Sequence, residues 1–342
     1  TVTGSTERPA RLQCRVDAAP AVVVRSTRED AAIGVLVEII APIFGIVLIG
    51  WLAARLRAFD EAATRGLSLF VFNFAIPVML ARTLARAELP AQPEWELILA
   101  YFTGAFLVFG LAMALARGPF GRRGAEPAIF GITAAFSNTI ILGIPIVLQA
   151  YGEAAAVPLS LIVAFHSALL FTATTIAAEA ATAAALSWRG VLVNIGRGLA
   201  TNPVLWGIGT GLALNLLGVT LPKVLDRLAE ILGGAALPAA LFALGANLSR
   251  FRLAGSLRVA GVLGLLKVLL HPLLVGLLAV LFGLEPVSAT VAVTLAALPT
   301  GINAYLFAAR YQAAVPESTS TILVSTLASV ATVGFLLAYL RG

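Results

Sequence analysis

What most limits this chain is the spacing of its charges. From residue 34 to the end, apolar runs of roughly 20 residues, the length a helix needs to cross a hydrocarbon core, follow one another with short polar gaps. Only 12% of the 342 residues are charged and 60% are hydrophobic, where a soluble domain carries about 25% charge. The runs therefore leave no stretch for a separate soluble catalytic domain, and any activity belongs to the membrane bundle. Residues 1–33 are polar and mixed, with too short an apolar patch for a signal peptide core, and read as a disordered extension without an assigned role.

Several function classes drop out on residue types alone. The single Cys14 and the scattered pair His166 and His271 do not make a metal centre, and no cofactor motif is present. The net charge of +6 comes from Lys and Arg in the gaps between runs, not from a stripe that would grip nucleic acid. His166 beside Ser167 is no nucleophile and base, because adjacent helical residues do not face each other; a hydrogen bond to a neighbouring helix is the better reading. Asp17, Asp30, Asp60 and Asp226 all fall outside the runs, so paired catalytic carboxylates are missing and the chain does not read as an enzyme.

The runs predict ten spans, at 34–54, 64–83, 95–116, 127–150 and 156–178, then 201–218, 227–248, 257–283, 287–309 and 318–340. A shift of about 161 residues lays Pro77 on Pro238, Thr133 on Thr294 and Thr139 on Thr300, and one offset serves several separate spans. The chain thus divides into a first five-helix repeat over 34–178, a cytoplasmic linker over 179–200 and a second repeat over 201–342. Five being odd, the second copy enters the bilayer in the opposite sense. Arg55, Arg57, Arg65, Arg117, Arg122, Arg123, Arg189, Arg197, Arg250, Arg252, Arg258 and Arg310 gather on one side, against Arg82, Arg86, Lys223, Arg227, Arg341 and the arginines of residues 1–33 on the other. The richer side is expected to be cytoplasmic and both termini to face outward.

Spans four and nine hold equivalent places in the repeats, and both are interrupted by helix breakers, in "SNTIILGIP" (Ser137 to Pro145) and "LPTGINAY" (Leu298 to Tyr305). Proline removes a donor and clashes with the preceding turn, so the backbone around 138–145 and 299–303 is expected to unwind. Unwound backbone at membrane depth survives only where protein buries it or water reaches it. Paired breaks in inverted repeats point to a transporter's midplane site, while a single break is an ordinary kink. Each break begins a half-helix whose free N–H groups and positive dipole end suit a carboxylate. Asn138, Thr139, Thr300 and Asn303 add side chains that either cap the break or reach a ligand.

Other polar residues inside the runs have two readings each. Lys267, mid-span, is a counter-charge for an anion, or a snorkelling side chain, or the neutraliser of a helix C-terminus. His271, one turn on, pairs with it as a proton carrier or satisfies the carbonyls freed by Pro272. Asn73 and Asn247, on the spans carrying Pro77 and Pro238, line a route or tie helices together.

Taken in order, "RGLSLFVFNFAIPVMLARTLA", "SNTIILGIPI", "NPVLWGIGTGLAL", "LPAALFALGANLS", "LLKVLLHPLL" and "ALPTGINAYLFAARY" resemble the auxin efflux carrier family in its compact prokaryotic form, from about residue 38 onward. The resemblance implies an all-α polytopic membrane protein of ten helices in two inverted repeats, with helices four and nine crossed at their breaks. It implies an elevator-type sliding of a transport domain on a scaffold, as in the similar bile acid:sodium symporters, in a cell inner membrane. It implies small organic anions as substrates, auxin in plants and malonate or malate in bacteria, with the site at Asn138, Thr139, Gly143, Pro145, Pro299, Thr300 and Asn303. Two departures stand out: only 179–200 separate the halves where plant members carry a long loop, and the acidic residue plant members place near the second helix has Asn73 in its neighbourhood instead. Proton or sodium coupling and homodimer formation are left open by the sequence. The competing reading is a sodium or proton antiporter of the same general fold, which ordinarily needs a buried Asp or Glu near the crossing.

Overall fold

The computed structural model describes residues 1–2, 40–90, 94–181 and 188–341. The expected extension over 1–33 lies outside the described residues apart from its first two. Among the described residues every regular element is helical except for one isolated antiparallel bridge, Ser137 to Thr300. In chain order the helices are α1 (Ala41–Arg55), α2 (Glu61–Arg86), α3 (Trp95–Arg117), α4 (Glu126–Ala135), α5 (Thr139–Tyr151), α6 (Glu153–Ala181) and α7 (Trp188–Ala200). They continue as α8 (Pro203–Leu216), α9 (Lys223–Leu248), α10 (Leu257–Leu281), α11 (Pro286–Ala297), α12 (Asn303–Tyr311) and α13 (Val315–Arg341). Six of them, α2, α3, α6, α9, α10 and α13, are long and apolar enough to cross a membrane. The chain is a polytopic, all-helical membrane protein.

Proline shapes these helices locally. Wide π turns occupy Val71–Ala75, Thr139–Gly143 and Leu266–Leu270, and in each case a proline (Pro77, Pro145, Pro272) follows two residues after the turn. The missing N–H and the ring's push on the preceding carbonyls shift the bonds to longer spacing without ending the helix. Pro77 is therefore accommodated by a wide turn within a continuous α2. Pro238 sits inside the last half of α9, just after a turn at Ala235.

Close packing relies on residues without a Cβ. Where α1 meets α9, a Cβ on Gly50 would stand 2.1 Å from the Phe242 carbonyl oxygen, and one on Gly245 would stand 1.8 Å from that of Val47. Where α2 meets α8, a Cβ on Gly207 would fall 2.4 Å from the Pro77 oxygen. In lipid, where helices gain little by hiding apolar surface from one another, such close backbone approach supplies the van der Waals attraction that holds pairs together. A second group packs around the broken helices: α3 lies against α4 and α10, α6 against α4, and α10 against α11 and α13.

Candidate functional site

The two breaks meet each other. Helix α4 ends at Ala135, residues 136–138 run extended, and α5 starts at Thr139; α11 ends at Ala297, residues 298–302 intervene, and α12 starts at Asn303. The two extended pieces pair like a fragment of antiparallel sheet. The N–H of Asn138 donates to the carbonyl of Pro299 (3.0 Å) and that of Gly301 donates to the carbonyl of Phe136 (2.9 Å). A side chain on Gly301 would strike the Phe136 ring at 2.7 Å, so the approach requires glycine there.

The remaining crossing amides are taken by side chains from flanking helices. Ser137 N–H donates to Nε2 of His166 on α6 (3.1 Å), and Thr300 N–H donates to Oγ of Ser325 on α13 (3.1 Å). Because a backbone amide only donates, His166 Nε2 offers its lone pair and the ring proton sits on Nδ1. From there it points at Tyr101 Oη (3.4 Å), which in turn donates to Ser137 Oγ (3.3 Å). His166 thus holds the break from a neighbouring helix, as the sequence reading preferred. Thr300 Oγ1 donates to the Thr133 carbonyl (2.8 Å), an orphan acceptor in the last turn of α4.

The crossing amides expected to be free for a ligand are therefore occupied within the protein. The free donors lie one turn further on. Among the described residues, the N–H groups of Ile140 and Ile141 in α5, and of Ile302 and Asn303 at the start of α12, have no acceptor. All four residues line one cavity of about 220 Å3, together with Asn138, Thr139, Ser68, Asn247 and the apolar Phe72 and Leu306. The side chains of Asn138, Thr139 and Asn303 make no hydrogen bond within the described protein. Asn247 both lines the cavity and ties helices, its amide donating to Ala243 O (2.8 Å) and to Ser68 Oγ on α2 (3.3 Å). No Asp, Glu, Lys, Arg or His is among the lining residues.

The seven residues expected at the site thus separate into two sets. Asn138, Thr139 and Asn303 face the cavity. Thr300 and Pro299 are buried in the bridge, while Gly143 packs on Leu295 and Leu298 and Pro145 is buried within α5. The unwound segment is shorter than expected around Pro145 because the π turn absorbs the proline. Asn73 is exposed on α2 and lines none of the cavities described. Tyr101, Ser325 and Ile302 carried no legible signal: a buried tyrosine, a helix serine and an isoleucine look ordinary until the chain brings them to the crossing.

Lys267 is wholly buried. Its Nζ donates to the carbonyl of Ala296 (2.5 Å), in the last turn of α11, and lies 3.2 Å from His271 Nδ1. Of the three readings open for it, the geometry matches the neutraliser of a helix C-terminus.

Two further cavities flank the crossing. One of about 350 Å3 shares Phe72, Ile140 and Asn303 with the central cavity and carries Arg310 and Asn202. The other, also about 350 Å3, lies between α2, α5 and α9 and carries Arg82, Gln149 and Glu230.

Residues 35–337 match the family described as Membrane transport protein. The "Putative malonate transporter" of Rhizobium meliloti (strain 1021) is 33% identical over 306 residues, covering 89% of this chain and 95% of that protein. Auxin efflux carrier component 8 of Arabidopsis thaliana is 28% identical over 339 residues, covering 84% and 92%. The "Uncharacterized transporter YfdV" of Escherichia coli (strain K12) is 27% identical over 305 residues, covering 85% and 93%. Paired helix breaks sealed by a two-strand bridge, in an all-helical membrane protein matched over nearly its whole length by these relatives, place the chain in the membrane transport protein family, as a compact auxin efflux carrier-type transporter.

Proposed function

We propose that this protein carries small organic carboxylates across an inner membrane, holding the anion in the cavity at the crossing of α4–α5 and α11–α12. One observation carries the reading: two half-helices start at one cavity without a charged lining residue, and the residues that carry their unpaired N–H groups line it. Two helix N-termini supply about half a positive charge each, enough to balance one carboxylate without a buried cation. Asn138, Thr139 and Asn303 orient the ligand through donors that bind a carboxylate without clamping it. The 220 Å3 volume suits a molecule of malonate or malate size, and a relative named for malonate favours the same class.

The proposed route uses the flanking cavities in turn, the one with Arg310 from the cytoplasmic side and the one with Arg82 from outside. We read the ten segments as two inverted five-helix repeats. In support, α1 pairs with α9 while α2 pairs with α8, the exchange expected when each repeat's first two helices swap partners. Likewise one crossing amide is held by the fifth span of each half, through His166 and Ser325. The glycine-sealed set α1, α2, α8 and α9 would be the scaffold along which the crossing helices slide.

The test is malonate binding by the purified protein in lipid nanodiscs, followed by calorimetry, with the double variant Asn138→Ala, Asn303→Ala. Binding by the native chain and a loss of tenfold or more in the variant is expected. Equal affinity in both would sink the site; flux of sodium or protons without any carboxylate would favour the antiporter.

A further inference from the structure

A buried polar chain runs from one break to the other. It passes from Ser137 to His166 and Tyr101, whose ring centroid is 5.7 Å from that of His271, and on through Lys267 to the Ala296 carbonyl. Lys267 and His271 are fully buried. Among the described residues no carboxylate lies near them: α11 has no ionisable side chain, and those of α4, α10 and α13 other than the pair itself (Glu126, Arg258, Glu317, Tyr339) sit in end turns. From α3 His271 faces Tyr101, with Glu96 and Arg117 at that helix's ends, and Tyr101 in turn meets His166 of α6.

His271 Nε2 is buried and has no hydrogen-bond partner, while Nδ1 is engaged with Lys267. The same heavy-atom arrangement fits two protonation states. In the first, Lys267 is an ammonium that donates to Ala296 O and to the lone pair of Nδ1, and the imidazole proton is on Nε2. In the second, Lys267 is a neutral amine that still donates to Ala296 O but accepts from Nδ1–H, and Nε2 is a bare lone pair. They differ by one proton. A proton added at Nε2 of the second state, with the Nδ1 proton passing to Nζ, gives the first; no other bond changes.

We propose that Lys267 and His271 form a one-proton binding site, loaded at Nε2 of His271 and stored on Nζ of Lys267, whose occupancy is linked to the anion at the crossing. The stored charge rests at the C-terminal end of α11, where the half-helix dipole favours it, but it has no full counter-charge in the protein. An anion in the cavity across the break supplies one. Each ligand then favours the other, and reciprocity makes the effect equal in both directions. The proton site stands on the geometry of the pair; its linkage to an anion rests on the function proposed above. It would make transport an anion–proton symport without any intramembrane carboxylate.

The chain has two histidines, so 15N-histidine labelling followed by solid-state NMR in bilayers resolves the site directly. Without any substrate, His271 is expected to pass from the Nδ1–H form to the Nε2–H form as pH falls through the range from about 9 to about 5. His166, pinned by Ser137 and Tyr101, should keep its proton on Nδ1 and serves as the internal reference. The variant Lys267→Met should abolish the change; His271→Gln assigns the signals. A single His271 tautomer throughout, in the native protein, overturns the proton site, whatever the variants do. Malonate at saturating concentration should raise the midpoint by about one pH unit, a tenfold linkage. Malonate that binds without moving the midpoint overturns the linkage, whereas failure of malonate to bind at all counts against the proposed substrate and not against the proton site.

Discussion

Asn138 and Pro299, 161 positions apart in the chain, are joined by a 3.0 Å hydrogen bond from the amide of the first to the carbonyl of the second. That bond converts two separate helix breaks into one two-strand bridge. It also takes up the crossing amides, so that the unpaired N–H groups lie one turn along, at the beginnings of α5 and α12.

Asn138 and Thr300 should behave differently although both sit in the breaks. Asn138→Ala removes a cavity-lining amide and should weaken carboxylate binding by about tenfold, with little effect on melting, since that side chain bonds to none of the described residues. Thr300→Val keeps the shape but strips the donor from the Thr133 carbonyl, and should lower stability by about 1–3 kcal/mol. Thermal melting and calorimetry on the same two variants separate the roles.

His166→Leu leaves the Ser137 amide without an acceptor in a site that water does not reach. A loss of about 1–3 kcal/mol is expected, with faster hydrogen exchange at Ser137 and Asn138. His166→Gln, which still offers an acceptor, should recover part of it.

Backbone contact between α1 and α9 predicts that Gly245→Ala is severe. Its new methyl would lie 1.8 Å from the Val47 oxygen, so the helices must part, at a cost of about 1–3 kcal/mol or more. Gly66→Ala, on α2 with nothing within 4 Å, is the control and should be neutral or slightly stabilising. Folded yield in detergent and melting temperature read the contrast.

Arg310, in the last turn of α12, is exposed at the rim of the 350 Å3 cavity and makes no ion pair among the described residues. Arg310→Gln should raise KM for carboxylate uptake in liposomes several-fold and leave kcat nearly unchanged, an effect that fades as salt is raised. An unchanged KM at low salt would remove Arg310 from the route.

Much of this was legible in the chain. Apolar run lengths gave the helical membrane architecture, and "SNTIILGIP" and "LPTGINAY" marked the two breaks because proline and glycine act on the local backbone wherever they stand. Asn138, Thr139 and Asn303 belong to the same stretches and line the cavity. Gly143 and Pro145 share the motif but turn toward Leu295 and the interior of α5, since a helix sends successive residues to different faces.

What the sequence alone determined are the properties set within one turn or one span: where the chain can lie in lipid, where a helix must widen or stop, and which polar groups are stranded at membrane depth. The tertiary structure decided who satisfies them. That Asn138 finds Pro299, that His166 and Ser325 each close one crossing amide, and that Lys267 reaches Ala296 depends on helices far apart in the chain coming together. In hydrocarbon each stranded donor must find an acceptor, but the order of residues does not say which helix provides it.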